Sequence, residues 1–207
     1  MCVSKEEVMF MRNKERINNM IEMSGNGTIT ATQITKAGIS RNVLKELCDE
    51  GVIYRFGRGL YVKCDAWEDD FYLLQQKYSR GIYSHDTALF LLGYSDRTPA
   101  SYTMTFPKGY NAPSLKEENI TIKRVIPKNY EMGIIEIQSP SGNPIYVYNL
   151  ERTLCDILRG KGSDIQIVND AMKRYASSNR IDMNKLIQYA DQLHVKSRIL
   201  RYMEILL

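Results

Sequence analysis

Arg41, Asn42 and Lys45 fall within five residues of one another, and together they have the chemistry of a surface that reads nucleic acid. Arginine can donate two hydrogen bonds to a guanine edge, asparagine can pair with adenine, and lysine can meet a phosphate. Ser40 stands where it can cap a helix running to residue 50. Such a helix gathers Val43, Leu44, Leu47 and Cys48 on one face and leaves Arg41, Asn42, Lys45, Glu46 and Asp49 on the other. Residues 51–62 then place two β-rich runs around Gly57-Arg58-Gly59, with Arg55 in the first run, which reads as a hairpin with a basic tip.

The elements that must position these side chains lie upstream. Residues 5–24 carry Val8, Met11, Ile17, Met20, Ile21 and Met23 at three- and four-residue steps and stop at Gly25, an amphipathic helix. Thr30 reads as the N-cap of a short helix over 31–37 that buries Ala31, Ile34 and Ala37, and Gly38 breaks it before Ile39 fills the turn. Thr32 and Gln33 on that helix are placed to add phosphate hydrogen bonds. Helix, helix, glycine turn, helix and basic hairpin follow in the order of a winged helix-turn-helix, whose recognition helix enters the major groove while the wing touches the backbone or minor groove.

The fold class expected is α+β. A winged helix-turn-helix with a linker helix occupies residues 1–78, and a mixed α/β domain with a small sheet and a helical C-terminus occupies 79–207. The linker helix spans 65–77, with Trp67, Phe71 and Leu74 on one face and Glu68, Asp69 and Asp70 in its first turn, where carboxylates favour the helix dipole. Ser84 is expected to cap a helix over 85–92. Strands are expected over 102–106, 120–126, 133–138 and 145–148 in a largely antiparallel sheet, with 127–129 as a loop. Helical periodicity returns with Leu150, Leu154, Ile157 and Leu158, then Ile167, Val168, Ala171, Met172 and Tyr175, then Leu186, Ile187, Ala190 and Leu193, and a last helix over 195–206.

Composition narrows the chemistry. Residues 1–63 carry a formal charge of +3, residues 64–151 of −3 and residues 152–207 of +4. Four cysteines, Cys2, Cys48, Cys64 and Cys155, form no C-x-x-C pair, and His85 and His194 are the only imidazoles, so neither a metal site nor a disulfide framework is expected. No cofactor motif is present: Gly160-Lys161-Gly162-Ser163 lacks the longer phosphate-loop pattern. Glu136 and Gln138, with Asp156 as a second carboxylate, resemble a degraded nuclease pair without its lysine, and His85 at a helix start reads as capping or structural. No run approaches the roughly 20 apolar residues of a membrane span, so a cytoplasmic, non-enzymatic protein without membrane contact is expected. Lys173, Arg174, Arg180, Lys185, Lys196, Arg198 and Arg201 lie largely off the apolar positions of the last helices, and read either as solvated surface or as one positive face for a toxin or a second stretch of DNA.

Three stretches carry a family resemblance: residues 39–47 with Gly57-Arg58-Gly59-Leu60-Tyr61, the segment from Ser84-His85-Asp86-Thr87-Ala88-Leu89 to Asp96-Arg97-Thr98-Pro99, and Asn149-Leu150-Glu151-Arg152-Thr153-Leu154-Cys155-Asp156. With these, the chain resembles the AbiEi antitoxins of bacterial abortive-infection, type IV toxin-antitoxin systems, over nearly its whole length. The resemblance implies an autorepressor that binds operator DNA upstream of its own operon, self-associates there, and counters a nucleotidyltransferase-like toxin through its C-terminal domain. It implies a DNA-contact role for Arg41, Asn42, Lys45 and Arg58, and structural roles for Glu151, Arg152 and Asp156. Two other readings remain open, a DNA-targeted nuclease and a plain transcriptional regulator with no toxin partner.

Overall fold

The structure, a computed structural model, describes residues 5–67, 69–111, 115, 118–179 and 181–206. The chain divides into two compact units, Met1–Ser79 and Arg80–Leu207, and it is a mixed α+β protein.

Unit 1 begins with α1 (Lys5–Met23), followed by β1 (Thr28–Thr30), α2 (Ala31–Lys36), α3 (Asn42–Asp49), β2 (Ile53–Gly57), β3 (Leu60–Lys63) and α4 (Asp70–Lys77). The three strands form an antiparallel sheet in the order β1-β3-β2. Ile17 and Ile21 of α1 close on Ile29, Ile34, Ile39, Val43, Leu44, Leu47 and Ile53 to make the core between helices and sheet. Leu60 and Val62 pack with Leu73 of α4 in a second cluster, supported by Tyr54 and Phe56.

Several expectations for this unit are corrected. The apolar stripe of α1 is buried only in its second half, at Ile17 and Ile21, whereas Val8, Met11 and Met23 are exposed. Phe10 and Met20 pack against the same core but are only partly buried. The linker helix begins at Asp70, not 65: Asp69 is its N-cap, accepting from the Tyr72 amide at 3.2 Å, so Trp67 lies before the helix and is 89% exposed. Glu68, placed in that first turn from sequence, lies outside the described residues. Strand β1, three residues long, was not expected.

Unit 2 contains β4 (Ile82–Tyr83), α5 (His85–Leu91), β5 (Tyr102–Pro107), β6 (Ile120–Val125), α6 (Pro127–Tyr130), β7 (Ile134–Gln138), β8 (Pro144–Tyr148), α7 (Leu150–Ile157), α8 (Ile165–Ala176), α9 (Met183–Gln192) and α10 (Lys196–Leu206). Its sheet runs β6-β5-β4-β8-β7. The outer pair β7-β8 and the pair β4-β5 are antiparallel, but β5-β6 and β4-β8 are parallel, which corrects the largely antiparallel expectation. The chain between Pro107 and Ile120 is long enough for the crossover that a parallel pair requires. The loop expected at 127–129 is the short helix α6, with Pro127 at its first position, where a missing amide costs nothing. Ser84 precedes α5 without capping it, because its hydroxyl is drawn to Thr105 and His85 instead. Leu154, Ile157, Met172, Tyr175, Leu186, Ala190 and Ile199 form the core of the helical part.

Candidate nucleic-acid interface

The interface predicted from sequence rests on α2, the turn after it, α3 and the β2-β3 hairpin. Thr30 caps α2 through a capping box: its side chain accepts the Gln33 amide at 3.2 Å, and the Gln33 Oε1 accepts both the Thr30 amide and its hydroxyl at 2.7 Å. Capping of this kind contributes about 1 kcal/mol. Gln33 therefore holds the helix start with its oxygen and has only its amide hydrogens to offer outward, while Thr32 beside it is exposed.

Gly38 takes φ of +72°, the left-handed conformation that ends α2 and turns the chain towards α3. Ser40 does not cap α3 as expected. The helix starts at Asn42 with Arg41 in the N-cap position and no side-chain cap, and the Ser40 Oγ makes only a 3.4 Å contact with the Asn42 amide. Arg41 is instead held across the turn, its Nε donating to the Thr35 Oγ1 at 3.0 Å, while Thr35 donates to the Ala31 carbonyl. That bond leaves the guanidinium's two terminal nitrogens for a ligand.

Helix α3 buries Val43, Leu44 and Leu47 and exposes Arg41, Asn42 and Lys45. Glu46 of α3 and Glu50 just after it are turned away from them. Lys14 of α1 pairs with Glu50 and lies 4.0 Å from Glu46, drawing both carboxylates towards α1. Arg16, also on α1, donates to the Ala37 carbonyl at 3.0 Å and fixes the turn.

The hairpin tip is tighter than the glycine pattern suggested. Gly57 pairs with Leu60, so Arg58 and Gly59 alone form the loop, with φ of +73° at Gly59 and a register shift between Arg55 and Gly57. The Ala31 amide donates to the Gly59 carbonyl at 2.8 Å, which brings the tip and exposed Arg58 against the first turn of α2. Arg55, exposed on β2, donates from Nε back to the Gly57 carbonyl at 3.1 Å, which orients the side chain and leaves its two terminal nitrogens for a ligand. Lys36, exposed in the last turn of α2, is a further basic neighbour, which a lone lysine at a helix end gives no sequence pattern to signal.

The basic helices of unit 2 are less open than their charge suggests. Arg174 pairs with Asp96, Lys185 lies 3.9 Å from Asp182, Lys196 lies 3.6 Å from Asp191, and Arg198 donates to the Leu158 carbonyl. Lys173 and Arg201 are exposed, and Arg180 lies outside the described residues. Glu136 sits exposed on edge strand β7, whereas Asp156 is buried in α7, so the two carboxylates considered for a nuclease do not share a surface.

Asp156 belongs to a buried group. Arg152, with none of its side chain exposed, donates from Nε to the Asp156 carboxylate at 2.9 Å and from one terminal nitrogen to the carbonyls of Asn129 and Met132. Its guanidinium lies 4.3 Å over the Tyr148 ring. Burial pushes the Asp156 carboxyl up while Arg152 pulls it down. Asn149 caps the helix, accepting the Arg152 amide at 3.0 Å. Removal of neighbours from water makes this a structural cluster of α7, tying it to the α6 segment and to β8.

Residues 15–62 match the family described as "Transcriptional regulator, AbiEi antitoxin", which bears out the resemblance over α2, α3 and the hairpin. Among solved structures, the crystal structure of the RV2827C protein from Mycobacterium tuberculosis is similar at 14% identity, with a TM-score of 0.67 over 93% of this chain and 76% of that one, a likeness of fold. No curated protein matches the chain. Among the described residues no helix is long and apolar enough to cross a membrane.

Proposed function

We propose that this chain is a DNA-binding autorepressor and antitoxin, in which a winged helix-turn-helix reads operator DNA upstream of its own operon. Helix α3 is the recognition helix, with Arg41 and Asn42 on base edges and Lys45 on phosphate. Arg58 at the hairpin tip enters the minor groove or meets the backbone beside it. Thr32, Gln33, Ser40 and Arg55 supply further polar contacts at the edge of this surface. The observation that carries the reading is the double tether on α2: Arg41 is held to it through Thr35, and the hairpin tip through Ala31 and Gly59. One short helix thus sets the spacing of the two basic elements before DNA arrives.

Unit 2 is the part to which we assign the countering of a nucleotidyltransferase-like toxin, with the exposed Lys173 of α8 and Arg201 of α10 on the basic face. Function in this reading is binding, not catalysis, and self-association takes place on DNA.

The test is anisotropy-detected binding to the upstream duplex against a shuffled duplex over a salt series. Arg41→Ala is expected to cost about 1–3 kcal/mol on the operator and to relax specificity, whereas Lys45→Ala weakens both duplexes and lowers the salt slope by about one unit. Equal loss on both duplexes from both variants would overturn base reading by Arg41. Co-expression with the adjacent gene's product decides the antitoxin half: growth not rescued by this chain leaves a plain regulator.

A further inference from the structure

A cleft of about 470 Å³ opens in unit 2 between the start of α5, the loop before β5, strand β6 and the turn before α8. Its size lies in the range of small-molecule sites. Arg97 and Lys123 stand exposed on its lining, and His85 forms part of its wall.

His85 adopts φ of +52°, a strained conformation for a residue with a side chain, of the kind that persists where the surroundings enforce it. Its hydrogen-bonding direction follows from its neighbours. The fully buried Ser84 Oγ accepts the Thr105 hydroxyl at 2.8 Å and lies 3.1 Å from the His85 Nδ1. A buried hydroxyl hydrogen needs an acceptor, and Nδ1 is the one within reach, so Ser84 donates to Nδ1 and the ring carries its hydrogen on Nε2. Burial, together with Lys123, Arg152 and Arg159, holds the imidazole down at about 3, so it is neutral at ordinary pH. Arg97 gives one terminal nitrogen to the Gln166 Oε1 at 3.0 Å and retains its other donors. Asp86 and Asp164, also on the lining, can accept hydrogen bonds from hydroxyl or amino groups.

We propose that this cleft binds a phosphate monoester of mononucleotide size, with Arg97, Lys123 and the His85 Nε2–H donating to the phosphate and the carboxylates receiving the organic part. The assignment is independent of the DNA-binding reading of unit 1.

The probes are AMP, adenosine and inorganic phosphate, titrated calorimetrically into the full chain. AMP is expected to bind at one site, and adenosine at least about tenfold more weakly, because it lacks the charge-assisted bonds. Arg97→Gln and Lys123→Gln, both at exposed positions, should each weaken AMP about tenfold while leaving the melting profile unchanged. Arg58→Gln, on the DNA surface of unit 1, should leave AMP binding intact. Equal binding of AMP and adenosine, binding of phosphate without AMP, equal loss in Arg58→Gln, or no binding of AMP at about 1 mM would each overturn the proposal.

Discussion

Arginine serves opposite purposes in the two units. Arg41 and Arg58 of unit 1 are exposed, and the bond that Arg41 makes orients the side chain without using up its donors. Arg152 of unit 2 is fully buried, paired with Asp156, bonded to two backbone carbonyls and stacked on Tyr148. The contrast teaches that a motif rich in charge marks either a surface or a core, and that burial and partner count decide which. A substitution should therefore separate the two roles: at Arg152 it should cost stability, and at Arg41 it should cost binding.

The largest effect is expected at the buried pair. Arg152→Leu leaves Asp156 buried without its partner and should destabilise unit 2 by about 3–5 kcal/mol, read from chemical denaturation. The double variant Arg152→Leu with Asp156→Leu should recover most of that loss, since two apolar side chains leave no stranded charge. A loss below about 1 kcal/mol in the single variant would return the cluster to the surface class and erase the contrast. Arg41→Ala, by comparison, should leave denaturation unchanged.

An intermediate effect tests whether α2 is the frame of the proposed DNA surface. Thr30→Ala removes the hydroxyl half of the capping box, leaving the residue-30 amide still on Gln33, and should cost unit 1 about 1 kcal/mol. Because α2 also carries the tethers of Arg41 and the hairpin tip, operator affinity should fall although Thr30 is not placed on DNA. Unchanged affinity at a reduced stability would show that α3 and the hairpin hold their spacing without α2.

Much of unit 1 was legible because its signals are local. Thr30 as a cap, the break at Gly38 and the helical spacing of Val43, Leu44 and Leu47 each act within a few residues, and local chemistry is what a sequence displays, although the partnership of Gln33 with Thr30 was not read from it. Strand β1 escaped because three residues make no periodic pattern, and it exists only through its pairing with β3. The parallel pairings of unit 2 escaped for the same reason, since the central strand β4 is two residues long and its partners come from distant segments. The burial of Arg152 was hidden because its carbonyl partners, Asn129 and Met132, are brought to it by the fold alone. Trp67 misled in the opposite direction: an aromatic at helical spacing reads as core, yet Asp69 starts the helix after it.

The last effect vanishes at neutral pH and concerns protons at His85, a third way of placing a polar side chain, part buried and uncharged. An unfolded chain carries histidine at its ordinary value near 6.5, whereas the folded imidazole is held at about 3 by burial and by Lys123, Arg152 and Arg159. Between these values the unfolded state binds the extra proton, so stability must fall as the pH is lowered through that window. His85→Asn, which tolerates a positive φ, removes the group and should flatten this part of the stability profile while leaving the rest in place. The ring resonances of His85 should also stay fixed between pH 7 and 5. A ring that titrates near 6.5 would mean that burial and the cations around it do not set its state, and that His85 is as open to water as Arg41 and Arg58.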